Sequence, residues 1–150
     1  MVIQKVDKTD VFVQHDILEF LSDNFDYDFY ITHNNERIYI TDSENLRKLY
    51  KNTQEIYYIE EDDKVQAIGF VWSSFGGDVS RNYAKMLAVD NEHAKKILTA
   101  LIWKHKYDLY VKLRNDSRFM DVYKMKGFRY QAGRGFQTLL KRRMDKEIVK

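Results

Sequence analysis

The stretch from Tyr83 to Asn115 constrains this chain more than any other. "YAKMLAVD" (83–90) reads as a strand. Asp90 or Asn91 can then cap a helix in which Ala94, Ile97, Leu98, Leu101, Ile102 and His105 recur at helical spacing. "DLYVKLRN" (108–115) is again a strand, with Leu109, Val111 and Leu113 on one face. A strand, a helix and a strand in succession imply a crossover that lays the two strands parallel, and such crossovers are right-handed.

The flanking segments supply antiparallel partners. "VIQKV" (2–6) alternates as a short strand, and Asp10 can cap a helix carrying Val13, Ile17, Phe20 and Leu21. "FYITHNNERIYIT" reads as a hairpin about Asn34-Asn35, because Asn tolerates positive φ. Ser43 is read as the cap of a short helix over "ENLRKLYKN". "EIYYIEEDDKVQAIGFVWSS" forms two strands joined at Asp62-Asp63, the second apolar from Val65 to Trp72 and so buried on both faces. "FGGD" breaks it. A second helix is expected from Asp116 to Lys126, burying Phe119, Val122 and Tyr123, with Gly127 at a left-handed terminus. "FRYQ" and "GFQTLL" finish the chain as a hairpin turned by "QAGRG". The expected architecture is α/β (α+β): one domain over residues 1–150, a central mixed sheet flanked by helices.

Composition closes off several functions. There is no cysteine, hence no disulfide, thiolate nucleophile or thiolate metal site. No apolar run approaches the ~18 residues of a membrane helix, and the polar start lacks a signal-peptide apolar region, so the expected location is cytoplasmic with no membrane partner. The four histidines, His15, His33, His93 and His105, form neither HxH nor HExxH, and no metal site is expected. "WSSFGGD" is neither a nucleophile elbow nor a dinucleotide loop. Charge is divided unevenly. Residues 1–80 carry 7 Lys and Arg against 16 Asp and Glu, net −9, whereas residues 81–150 carry 18 against 7, net +11. The basic half either meets an anionic partner, nucleic acid among them, or neutralises the acidic half within the fold. Arg114, Arg118, Arg129 and Arg134, interleaved with Tyr123, Phe128, Tyr130 and Phe136, make the most credible phosphate face, and "LLKRRMDK" adds a basic tail.

"LYVKLRNDSRFMDVYKMKGF" (109–128) resembles the C-terminal motif of the GNAT acyltransferase superfamily: a strand ending in Asn, a helix bearing an aromatic residue, then Gly-Phe. Asn115, Tyr123 and Gly127-Phe128 match it, "QAIGFVW" is similar to that family's central hairpin, and the likeness spans roughly residues 54–140. The resemblance implies an N-acetyltransferase that moves an acyl group from acetyl-CoA to an amine acceptor, with macromolecular acceptors included. It assigns Tyr123 to protonating the departing thiolate. It sets Leu87, Val89, Lys95, Lys96, Asn115 and Phe119 along the cofactor. Taken alone, Tyr123 reads more simply as a core aromatic. Asp90 is the second catalytic candidate, as general base, with helix capping the weightier reading; Glu60 and Glu61 are the other acids near the expected cleft.

The chain departs from the family's glycine-rich phosphate loop. "VDNEHAKKIL" has no glycine and sets Asp90 and Glu92 at the helix N-terminus, where an anion should sit, with Lys95 and Lys96 in partial compensation. "DVFVQHDILE", the short loop and "FMDVYKMKGF" also resemble small phage-encoded GNAT-like proteins. That likeness implies a second role, a non-catalytic binding or assembly protein. A homodimer is among the partners considered.

Overall fold

The computed structural model describes residues 2–76 and 79–144. Gly77-Asp78 of "FGGD" and the end of the basic tail lie outside the described residues. Residues Ile3–Lys5 form β1, and Val11–Asp23 form α1, capped by the Asp10 carboxylate, which accepts from the amides of Phe12 and Val13. Ile31–His33 (β2) and Glu36–Ile38 (β3) make a separate hairpin turned by Asn34 and Asn35 at φ 51° and 65°. Helix α2, Ser43–Asn52, is capped by Asp42 rather than Ser43: the Asp42 carboxylate accepts from the Asn45 amide, and Ser43 is the first helical residue. A carboxylate outcompetes a hydroxyl here because it also carries charge toward the helix's positive end.

Ile56–Glu61 (β4) and Lys64–Gly76 (β5) join at Asp62-Asp63, both with positive φ. β5 is thus longer than its apolar run and extends into the glycine segment to meet Val79–Ala88 (β6). Asn91–Lys104 (α3) links β6 to Leu109–Arg114 (β7). Four of the apolar stripe, Ala94, Ile97, Leu98 and Leu101, are buried. His105 is not on the helix; it is the C-cap, its ring Nδ1 against the Leu101 carbonyl. The second helix is shorter than expected. Only Met120–Met125 (α4) is α-helical, because 116–119 turn instead, with Ser117 amide donating to Arg114 carbonyl. Gly127 has φ 95°, the left-handed terminus expected. Arg129–Arg134 (β8) and Gln137–Arg142 (β9) close the chain. Their turn is Gly135-Phe136, with Gly135 at φ 60°; Gly133 lies inside β8 beyond a bulge at Tyr130/Ala132.

One seven-stranded sheet runs in the order β1-β4-β5-β6-β7-β9-β8, with β6 and β7 parallel and the other neighbours antiparallel. Helix α3 lies on the face to which Gly69 belongs. A Cβ at Gly69 would stand 2.9 Å from Ile97 Cγ1, so the missing side chain is what lets the helix seat this closely. The opposite face is covered by the segment after α1: Phe29 meets Phe70 edge-on at 5.6 Å, and Trp72 Nε1 donates to Thr32 Oγ1. Ile17, Ile59, Ile68, Phe70, Leu98 and Phe128 are among the fully buried side chains that fill the core. β8, at one edge, is exposed along its whole length. No helix among the described residues is long and apolar enough to cross a membrane.

Candidate functional site

β6 and β7 touch through a single parallel pair, Tyr83 with Tyr110, whereas β7 and β9 pair over six positions. Parallel strands held at one point diverge beyond it, and their backbone groups then face a gap rather than each other. That gap is a narrow crevice walled by Ala84 and Met86 of β6, Val111 and Leu113 of β7, and Phe119 and Tyr123. Asp26 and Asp28 reach it from the α1–β2 connection.

Tyr123 is 2% exposed, with Phe128 edge-on at 5.1 Å. Burial, reinforced by the negative charges of Asp26 and Asp28, pushes its hydroxyl far above the ordinary tyrosine value, so it holds its proton throughout the physiological range. Asp28 accepts from the Arg114 amide at 3.1 and 3.2 Å. Burial nonetheless lifts its pKa above the ordinary aspartate value, against that hydrogen bond.

Lys85 is the residue the sequence reading missed. It is 6% exposed, and no carboxylate pairs with it among the described residues. Its Nζ lies 4.1 Å from the centre of the Tyr30 ring and 5.6 Å from that of Tyr83, so aromatic faces take the place of an ion pair. Burial, with the nearby Lys112 charge, lowers its pKa to about 7. Lys85 borders the crevice and also a second cleft, about 60 Å³, on the face covered by β2. The available signal was its place between Tyr83 and Leu87 on one face of a strand whose only other charged residue on that face is Arg81.

The other predicted residues are dispersed. The Val89 amide donates to the Gln66 carbonyl of β5, and by the pleat's alternation Leu87 turns the same way, so Met86 and Ala88 face the gap. The Ala88 carbonyl accepts from the Arg118 guanidinium at 3.0 Å. Arg118 also lies over the ring of Phe119, which is buried in the crevice wall. Asn115 is spent on the last hairpin: its side-chain amide donates to the Gly135 carbonyl, and its oxygen accepts from Thr138 Oγ1. Lys95 is half-buried and Lys96 exposed on α3. Tyr123 and Phe128, expected within a basic aromatic face, are buried; Arg129, Tyr130, Arg134 and Phe136 are exposed.

Asp90 is the α3 N-cap. Its Oδ1 accepts from the His93 amide at 2.9 Å and meets His93 Nδ1 at 2.7 Å, while Glu61 meets His93 Nε2. Burial works against the charge on His93, but the hydrogen bonds with Glu61 and Asp90 outweigh it and raise its pKa. No group of His, Asp and Glu among the described residues is placed to hold a metal ion.

No protein-family profile matches the sequence, and no curated protein matches it. The architecture, by contrast, is shared. A GNAT-family acetyltransferase from Streptococcus pneumoniae superposes with a TM-score of 0.70 at 13% identity, covering 96% of this chain and 99% of its own. The fold is that of the GNAT acyltransferases. A putative acetyltransferase from Salmonella typhimurium, solved with its cofactor acetyl-CoA, matches at a TM-score of 0.70 and 17% identity, covering 99% of this chain and 96% of its own. The ribosomal-protein-alanine N-acetyltransferase from Brucella melitensis matches at 0.70 and 11%, covering 96% and 100%.

The crevice is narrow, about 10 Å³, and mixed in lining, with Asp26, Asp28 and Lys85 beside the apolar side chains. The N-terminus of α3 carries carboxylates where a diphosphate would meet free amides. The His93 amide there is already bonded, and Asp90, Glu92 and Glu61 crowd the helix end with negative charge.

Proposed function

We propose that the protein is an N-acyltransferase that moves an acyl group from a thioester donor, acetyl-CoA among them, to an amine. The single observation that carries this is Tyr123 in the gap between β6 and β7 of a GNAT fold. The thioester supplies the acyl carbon. The chain's own part is to set Tyr123 beside the gap between β6 and β7 and to keep a proton on its Oη for the departing sulfur. With carboxylates at the α3 terminus, the donor's grip is assigned to the gap between β6 and β7 and to Arg118, whose guanidinium donates to the Ala88 carbonyl of β6. Asp28, with its raised pKa, is better placed than Asp90 to accept a proton, since Asp90 is committed to the helix cap.

The carboxylates at α3 favour a second reading: a GNAT fold retained as a binding or assembly protein without catalysis. The exposed Arg129, Arg134, Tyr130 and Phe136 are then its face for an anionic partner such as nucleic acid, or for a second copy of the chain. A cytoplasmic setting is proposed for either reading.

Calorimetry with acetyl-CoA, paired with turnover on a panel of amines, separates the two. Micromolar binding with turnover that falls about 10²–10⁴-fold in Tyr123→Phe supports the enzyme. No binding at millimolar acetyl-CoA refutes acetyl-CoA as donor and leaves the binding protein.

A further inference from the structure

The cleft on the β2 face is electropositive and closed by aromatic rings. Tyr30, Trp72 and Tyr83 wall it, and the two charged side chains among its lining residues, Lys85 and Lys112, are both lysines. A chain of donors ends in it: Trp72 Nε1 donates to Thr32 Oγ1, and Thr32 lies 3.3 Å from Ser74 Oγ, which leaves the Ser74 hydroxyl proton for a ligand. The nearest acid that acts on Lys85, Asp28, is held by the Arg114 amide. A buried ammonium without a carboxylate is costly unless something completes it.

We propose that Lys85 and Lys112, between the rings of Tyr30, Trp72 and Tyr83, bind the carboxylate of a small molecule with a flat or apolar body. Two lysines and a hydroxyl match a carboxylate's acceptor oxygens, and the rings match its body. Lys85 also borders the crevice that contains Tyr123. Resting on the acyl-transfer reading, the acceptor is therefore an amine that also carries a carboxylate, an amino-acid-like substrate. The groups facing Lys85 are Lys112 from β7, Asp28 from the α1–β2 connection, Arg37 from β3, and the rings of Tyr30 and Tyr83. Lys112 and Arg37 disfavour its charge, and Asp28 favours it. An incoming carboxylate adds a favourable partner, so binding takes up a proton near neutral pH.

Benzoate is the probe, with benzyl alcohol as its uncharged counterpart, titrated by calorimetry and by amide chemical shifts. The expected result is benzoate binding at pH 6 that weakens at least about tenfold by pH 9, as Lys85 loses its proton, with no such trend for benzyl alcohol. Lys85→Met should abolish the pH trend, and Lys112→Gln should weaken binding while keeping it. Equal affinity for benzoate and benzyl alcohol, or benzoate binding that ignores pH in the unaltered protein, overturns the carboxylate site. Acetyl transfer to phenylalanine and to phenethylamine tests the acceptor class separately. Equal rates overturn it. No product from either, with benzoate still bound, overturns the amino-acid-like acceptor and leaves the carboxylate site standing.

Discussion

Replacing Lys85 with methionine should stabilise the protein, by an amount that depends on pH. The side chain is fully buried, and its pKa falls from about 10.4 when unfolded to about 7 in the fold. At 1.36 kcal/mol per pKa unit, holding the ammonium in the core costs on the order of 4–5 kcal/mol wherever both states are protonated. Below pH 7 the cost is complete. Between pH 7 and 10 the unfolded chain binds the proton that the native chain has released, so the native state gains stability as pH rises. From pH 6.5 to 9 that gain is on the order of 2–3 kcal/mol. Methionine fills nearly the same space without a charge, so Lys85→Met lacks the gain and starts from higher stability. Urea unfolding of both proteins, extrapolated to water at pH 6.5 and 9, reads the difference directly. Subtracting the two curves cancels the titrating groups that do not interact with Lys85. The advantage of Lys85→Met should shrink by on the order of 2–3 kcal/mol across that interval. A constant difference, or a variant less stable at pH 6.5, would refute the claim that Lys85 is a strained buried cation.

Three other perturbations test the frame around the site. Gly69→Ala should destabilise by about 1–3 kcal/mol, because its Cβ meets Ile97 at 2.9 Å and Leu101 at 3.2 Å; a change under ~0.5 kcal/mol in urea unfolding would mean α3 sits further from the sheet. His93→Gln should cost more stability at pH 5.5 than at pH 8.5. A raised native pKa gives stability that is complete below the unfolded value and lost as pH rises through the native one, and melting temperatures at the two pH values report it. Tyr123→Ala should cost on the order of 3–5 kcal/mol by emptying a core position whether or not the protein is an enzyme, as a thermal melt beside Tyr123→Phe will show.

Where structure follows from neighbours along the chain, the sequence was readable. The stripe of α3, the Asp10 cap, the Asn34-Asn35 and Asp62-Asp63 turns and the left-handed Gly127 each depend on residues within a turn or two of one another. The misses share a different cause. Ser43 against Asp42 was a competition between adjacent caps, decided by charge. The turn at Gly135 rather than across "QAGRG" was set by a bulge in pairing with β9. Lys85 and Asp28 escaped notice because their meaning is nonlocal. A lysine in an alternating strand reads as solvent-facing until the α1–β2 connection is known to lie over it, and Asp28 meets Arg114 across 86 residues of sequence. The backbone of Val89 turns toward β5, and by the pleat's alternation that of Leu87 does too, a direction set by pairing with a strand about twenty residues away.

The two margins of the sheet bear on how the protein behaves in a crowded solution. β1 offers only three residues for pairing, and β8 presents a bulge, a glycine and two arginines along an exposed strand. A neighbouring strand that tried to extend the sheet would find a short template at one end. At the other it would meet a kinked, cationic one. Such margins resist open-ended polymerisation while leaving Phe136 at the hairpin tip, 84% exposed, free to engage one partner by its side chain. Growth by strand-to-strand extension of the sheet is therefore disfavoured at both ends.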